Sequence, residues 1–456
     1  MGSGEHVREL GELNILRLIF KYSTPSIFST VIDATYNLVD RVFVGRACGE
    51  DALAAVTVCF SPALLFLAIG MTIGHGSSTM VSIMLGKKNR AAAERYLGQA
   101  VFLFFVFTFL LAVTIIPNIE FFLRLFGATD KILPMASQYY SVILGGMIFE
   151  KISYGINNLI RAEGRPVFSM SVILICGLCN VVLDYVFLFQ FGWGVRGAAI
   201  ATVVSQALGS CLVVYFYLFS GKNFLRLRWE NLKPRWEYFK NMVAAGSPSL
   251  VIQTLAALST TLFILQAKKF GAEGAIAVIG VSSAVSVFLY LPVVGLSMGA
   301  QPIFGYNWGA GNFDRVREAF VKVVLSSSSL CLAGFVIVEI FAGRIYELFL
   351  GEGSHLVSMG ETAIRVLVLM FPLIGANISA SGYFQATKRP KFSIFVTMLR
   401  QLIFLAPLLI ILPHYMGLDG VWWSFPIADF AAFSLTLIFI LGEMKKLAKK
   451  VRARDL

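Results

Sequence analysis

RAEGRP at Arg161–Pro166 and QATKRP at Gln385–Pro390 lie 224 residues apart, and that spacing recurs along the chain. Pro25 matches Pro248, Gly70 matches Gly295, Gly74 matches Gly299, Asn89 matches Asn312 and Gly197 matches Gly420, all at offsets of 223 to 225. One shared offset at six places marks an internal duplication. The acids do not follow it. At the same offset Asp33 aligns with Ala256, Asp40 with Phe263 and Asp184 with Leu408. The spacing therefore predicts a two-fold scaffold whose apolar helices carry acid in the first half only. A one-sided acidic site on duplicated halves is what an ion-coupled transporter needs.

Composition sets the class. Of the 456 residues, 57% are hydrophobic and 14% charged, with mean hydropathy +0.77. A soluble domain carries about 25% charged residues. Apolar runs long enough to cross a hydrocarbon core of about 30 Å recur throughout. Twelve spans are expected, near 15–45, 53–85, 94–117, 133–160, 168–190, 196–220, 242–268, 275–308, 318–342, 359–385, 392–412 and 418–444. Their continuity fits helices rather than barrel strands. The expected fold is an all-α integral membrane protein of two six-helix bundles, 1–220 and 242–456. A polar linker, 221–241, joins them. Six spans per half give both halves one orientation, hence a pseudo-two-fold axis along the membrane normal.

The excess of basic residues, formally +12, reads as topology. If both termini are cytoplasmic, the loops and tails on that side hold 27 Lys or Arg, and the opposite loops hold seven. That bias orients the protein in a cell membrane with both ends on the cytoplasmic side. The tail Lys445-Lys446 and Lys449-Lys450 fits a solvated helix end or contact with anionic lipid. No basic stripe on a soluble fold points to nucleic acid. The N-terminus is polar and the first apolar stretch is a full span, so no cleavable signal is expected. Cys176-x-x-Cys179 has metal-ligand spacing but no second pair, so it reads as packing. His6, His75, His355 and His414 are scattered and suggest no zinc site.

The chemistry concentrates in the first half. Asp33, Tyr36, Asn37 and Asp40 fall at i, i+3, i+4 and i+7 of the first span, along one helical face. Asn180 and Asp184 share a face of the fifth span, and Thr202 and Gln206 a face of the sixth. The fourth span offers Asn157 and Asn158. A carboxylate inside a bilayer costs several kcal/mol unless protonated, paired or bound to a cation. These carboxylates and their amide and hydroxyl neighbours suit Na+, and the same acids suit H+. Plainer roles stand beside these: Asp40-Arg41 as a helix-end ion pair, Asp33 as lining without coupling, Asn180 as glue between helices. Arg400 and the Glu150-Lys151 pair read as structural.

YNLVDRVFVG at Tyr36–Gly45, NVVLDYVF at Asn180–Phe187, GAAIATVVSQ at Gly197–Gln206 and QPIFGYNWGAGNFDRV at Gln301–Val316 resemble motifs of the multidrug and toxic compound extrusion transporters. The resemblance spans essentially all twelve spans and is nearest the bacterial DinF-type branch, with its MepA-like multidrug exporters. It implies cation-coupled export of amphipathic, often cationic compounds. It carries Asp40, Asn180, Asp184 and Thr202 over as the cation site, and Tyr36, Asn157 and Gln206 as substrate contacts beside Asp33 and Asn37. The family's other branch uses acids of the second lobe. Here the seventh span offers only Gln253, so no coupling site is expected there.

The expected protein is thus a drug exporter driven by Na+ or H+ antiport. It needs no cofactor, and no metal beyond Na+ at the coupling site. Its partners are drug-like small molecules and the lipid bilayer, and it functions as a monomer. A lipid-linked precursor flippase would need a basic intramembrane cavity. An integral-membrane enzyme would need a catalytic cluster of acids, His or metal ligands that the sequence does not offer. The charge bias makes a direct prediction. Single cysteines placed in a cysteine-free background within 221–241 are protected from an impermeant thiol reagent in intact cells, and cysteines within 118–131 are labelled.

Overall fold

A computed structural model describes residues 4–221, 223–351 and 356–455; His355 lies outside the described residues. These form helices α1 (Glu5–Glu12), α2 (Ile15–Cys48), α3 (Glu50–Gly86), α4 (Arg90–Ile115), α5 (Ile119–Leu125), α6 (Leu133–Glu150), α7 (Asn157–Ala162) and α8 (Pro166–Asp184). They continue with α9 (Gly194–Leu218), α10 (Trp236–Gly309), α11 (Phe313–Leu350), α12 (Leu356–Val368), α13 (Phe371–Ala386), α14 (Pro390–Met398), α15 (Ala406–Met416) and α16 (Leu418–Asp455). No strand occurs among the described residues. Three π-helical turns extend α6, α8 and α14: Lys151–Ile156, Tyr185–Gln190 and Leu399–Leu405.

Twelve passes follow when the eight-residue α1 is left out, α4–α5, α6–α7, α12–α13 and α14–α15 count once each and α10 counts twice. Nine are long and apolar enough to cross a bilayer among the described residues, ten with α12–α13, which bend by 45° at their break. The other two passes, α2 and α6–α7, carry Asp33, Asp40 and Arg41 and the Glu150-Lys151 pair along their length. The seventh and eighth spans form one unbroken helical run, Trp236–Gly309, rather than two helices with a loop. Their joint contains Gly271 and Gly274 but no proline. Glycine costs a helix only about 1 kcal/mol, whereas proline would remove a backbone donor.

The chain groups into two interleaved compact units: Met1–Leu13 with Phe28–Leu250, and Asn14–Ile27 with Val251–Leu456. Each half changes unit three residues after a matching proline, Pro25 or Pro248. Proline lacks the N–H that continues a helix, so these are natural places to bend. Within the first unit, α10 crosses α3 so closely that a Cβ on Gly246 would overlap the Thr72 carbonyl. Within the second, Ser23 Oγ donates to the Leu296 carbonyl at 3.2 Å. There a Cβ on Gly299 would lie 2.6 Å from Ser23 Cα. Small residues permit this approach where lipid supplies no hydrophobic drive between helices. Phe66, Leu123, Tyr140 and Met147 centre one core of the first unit. Phe263, Tyr346, Phe371 and Trp422 centre the core of the second.

The duplication preserves backbone conformation more faithfully than residue identity. Gly164 (φ +97°) matches Lys388 (φ +59°), and Lys88 (φ +58°) matches Gly311 (φ +74°). The helix ends share the same closing bonds: Arg165 N–H to Ile160 O at 3.1 Å, and Arg389 N–H to Phe384 O at 2.8 Å. Both are left-handed caps that satisfy terminal carbonyls.

At the first of these ends, Glu163 is buried and ties down the segment after α9. Its Oε1 accepts the backbone N–H of Phe224, and that of Leu225 at 2.6 Å. Burial pushes its carboxyl up to about 8, against the pull of those N–H groups. Its Oε2 has no acceptor or donor partner. A raised acid is protonated in the fold at neutral pH, so its contribution is present at lower pH and lost as pH rises through about 8. Raising the pH from about 7 to about 9 should lower the melting temperature of the wild type more than that of Glu163→Gln, which stays neutral. Scanning fluorimetry of both proteins in detergent checks this.

Candidate functional site

The first unit brings the acidic residues of α2 and α8 together. A Cβ on Gly177 would lie 3.1 Å from Tyr36 Cδ1, so α2 packs tightly on α8 at that level. α8 packs along α9. Asp184 is fully buried and Asn180 is 2% exposed. Asp184 ends the α-helical part of its pass, immediately before the π-turn Tyr185–Gln190. Such turns expose backbone groups and recur at functional sites.

The Asp40 and Asp184 side chains are neighbours, and Tyr139 of α6 lies within electrostatic reach of both. Both Asp184 oxygens, Asp40 Oδ1, and the oxygen and nitrogen of the Asn180 amide are buried without hydrogen-bond partners. Arg41 does not neutralise Asp40 by an ion pair; its guanidinium lies over the Phe60 ring, 4.4 Å from the centroid. Thr202 is half-buried on α9, and its hydroxyl donates to the Ala198 carbonyl at 3.0 Å. It therefore presents only lone pairs to a ligand. Two close carboxylates repel each other strongly in a low-dielectric interior. A proton or cation between them removes that repulsion, and the carboxylate oxygens with the Asn180 amide oxygen suit a hard cation such as Na+.

Two turns back along α2 from Asp40, Asp33 has a different environment. Tyr154 of the π-turn Lys151–Ile156 donates its hydroxyl to Asp33 Oδ1 and shares a 2.7 Å bond with the Tyr36 hydroxyl. The Asn37 amide is exposed and donates to the Asp33 main-chain carbonyl at 2.7 Å, so it is held to its own helix. Gln206 is half-buried on α9, one turn from Thr202. Asn157 is a tie between helices: its amide donates to Ser169 O on α8 at 2.9 Å. The matching place in the second unit holds Ser381 bonded to Ser393 at 2.8 Å. A tie kept in both halves belongs to the scaffold, although Asn157 Oδ1 remains buried and unpartnered.

The expectation that acid lies only in the first half is wrong. Asp429 is buried in α16, with Glu443 further along that helix. The difference lies in pairing. Arg400 holds Asp429 at 2.5 Å, and Arg389 holds Glu443 at 2.5 Å with Tyr383 at 2.9 Å. Arg400 is thus structural, as is Lys151, which bonds Glu150 at 2.8 Å. Sequence reading also missed Tyr139 and Tyr154. Tyr154 sits three residues before Asn157, a helical spacing that was available as a signal. Cys176 packs where α8 meets Gly209 of α9 and is unpaired. Tyr154→Phe, which loses two partners, should destabilise the protein by about 1–3 kcal/mol, and more than Tyr36→Phe. Thermal unfolding in detergent checks the order.

The MatE family model matches residues 25–186 and again 248–411, which reproduces the repeat offset. The chain is 24% identical over 438 residues to the multidrug export protein MepA of Staphylococcus haemolyticus, covering 96% of this chain and 95% of that protein. It is 22% identical over 431 residues to MepA of Staphylococcus aureus, covering 94% of each. A solved structure described as the outward-facing conformation of a multidrug resistance MATE family transporter superposes with a TM-score of 0.91. It shares 23% identity and covers 98% of this chain and 99% of that one. With the family match covering most of both halves, the chain belongs to the MatE family, the multidrug and toxic compound extrusion transporters.

Proposed function

We propose that this protein exports amphipathic, often cationic compounds by antiport with Na+ or H+. The observation that carries the reading is the neighbouring acids, half-buried Asp40 and buried Asp184, with Asp40 Oδ1 and both Asp184 oxygens unpartnered, beside the unpartnered Asn180 amide. The export proteins named among its relatives support the substrate class. The coupling lobe is the first repeat, 1–220, followed by the linker 221–241. The second repeat, 242–456, shapes the route. Both termini face the cytoplasm of a bacterial cell, and the monomer is the working unit.

The physical cycle follows from linkage. With the acids ionised, Asp40 and Asp184 repel each other and attract a cationic substrate. Once a coupling ion is held between them, that attraction disappears. Substrate and ion then weaken each other's binding by equal factors, because the coupling free energy is reciprocal. Asp33, already bonded to Tyr154, Tyr36 and Asn37 contribute to substrate contact on the same helix. A precursor flippase would place unpaired basic groups where this chain places unpaired acids.

Efflux from proteoliposomes under a Na+ gradient and, separately, a pH gradient identifies the ion. Asp40→Asn and Asp184→Asn keep the size and lose the exchangeable charge. Each should reduce gradient-driven efflux by about tenfold or more at normal folding. Gln253→Ala should retain the ion dependence of drug binding, and Asp184→Asn should lose it. The reverse pattern would place coupling in the second repeat.

A further inference from the structure

Buried Lys151 and half-buried Arg389 and Arg400 are matched by acids. Arg161 is not. It is 5% exposed at the end of α7. Its guanidinium has no hydrogen bond or ion pair among the described residues. Glu163, two residues on, is committed elsewhere: its carboxyl takes the Leu225 N–H, and its charged neighbours are Arg165 and Arg90. Arginine cannot shed its proton, so burial without a counter-charge is costly.

The scaffold does not demand this cation. Gln385 occupies the matching place and closes the same helix end, with Lys388 N–H on its carbonyl at 3.2 Å, as Gly164 N–H is on Arg161 O at 3.1 Å. A second polar side chain stands nearby. His75 of α3 lies within electrostatic reach of Arg161. It spends Nδ1 on Ser249 Oγ at 3.0 Å and leaves Nε2 uncommitted. Its repeat counterpart is Ala300. Ser78 Oγ donates to the Asn158 carbonyl at 3.3 Å, which fixes α3 against α7 at this level. Asn158 is one turn from Arg161, on the same face.

We infer that Arg161 and His75 form an anion-binding site in the first unit, taking a compact oxyanion or halide: the carboxylate of a zwitterionic amphipathic substrate, or chloride. The substrate arm rests on the export reading; the chloride arm does not. The site widens the substrate class from cations to zwitterions.

Binding of two fluorescent probes to the purified protein tests it: a rhodamine with a free carboxylate, and its methyl ester. Arg161→Gln, the residue of the other repeat, should weaken the carboxylate probe about tenfold or more, as loss of a charged hydrogen bond predicts. The ester should change by less than about twofold. Arg161→Lys should recover part of the loss, and His75→Ala should weaken the carboxylate probe selectively. Replacing gluconate by chloride should raise the melting temperature of the wild type and not of Arg161→Gln. Chloride that also displaces the carboxylate probe means both sources share the site. Equal weakening of both probes, or no change in either together with an unaltered chloride response, overturns the proposal. Failure of wild type to bind even the ester sinks the export reading instead, and the chloride response then decides this one.

Discussion

A buried carboxylate without a counter-charge is the constraint on which this structure turns. Moving an ionised acid out of water costs several kcal/mol even after relaxation. The second repeat meets that cost locally, with Arg400 on Asp429 and Arg389 on Glu443. The first repeat leaves Asp40 and Asp184 beside each other with oxygens unsatisfied. Under the proposed antiport, that unmet demand is what a coupling ion satisfies. The asymmetry between the halves is therefore one of pairing, not of acid content.

The duplicated scaffold makes that asymmetry legible. Matching positions keep the backbone and the ties between helices: Gly164 and Lys388 share a left-handed cap, and Asn157–Ser169 corresponds to Ser381–Ser393. Where the scaffold is satisfied by either residue, a difference between halves points to chemistry. Asp184 against Leu408 is one such place, and Arg161 against Gln385 another. The interleaving of the units after Pro25 and Pro248 is common to both halves, so it too belongs to the scaffold.

The sequence alone determined the all-helical membrane class, the duplication, and the residues near which the acidic site forms. These depend on hydropathy, a shared offset and helical spacing, all of which are local or periodic. Asn180 and Asp184 are four apart on one helix, and Tyr36 and Asp40 on another, so their faces follow from helix geometry. Only the tertiary structure decided which charges have partners. Asp429 and Arg400 are 29 residues apart on separate passes, and nothing in their spacing joins them. Tyr154 reaches Asp33 through a π-turn that no residue pattern announced. Asn157 proved to tie helices, because hydrogen-bond partners are chosen by packing between segments distant in sequence. Whether a buried charge is satisfied depends on those distant neighbours, and so it remains undetermined until the chain is folded.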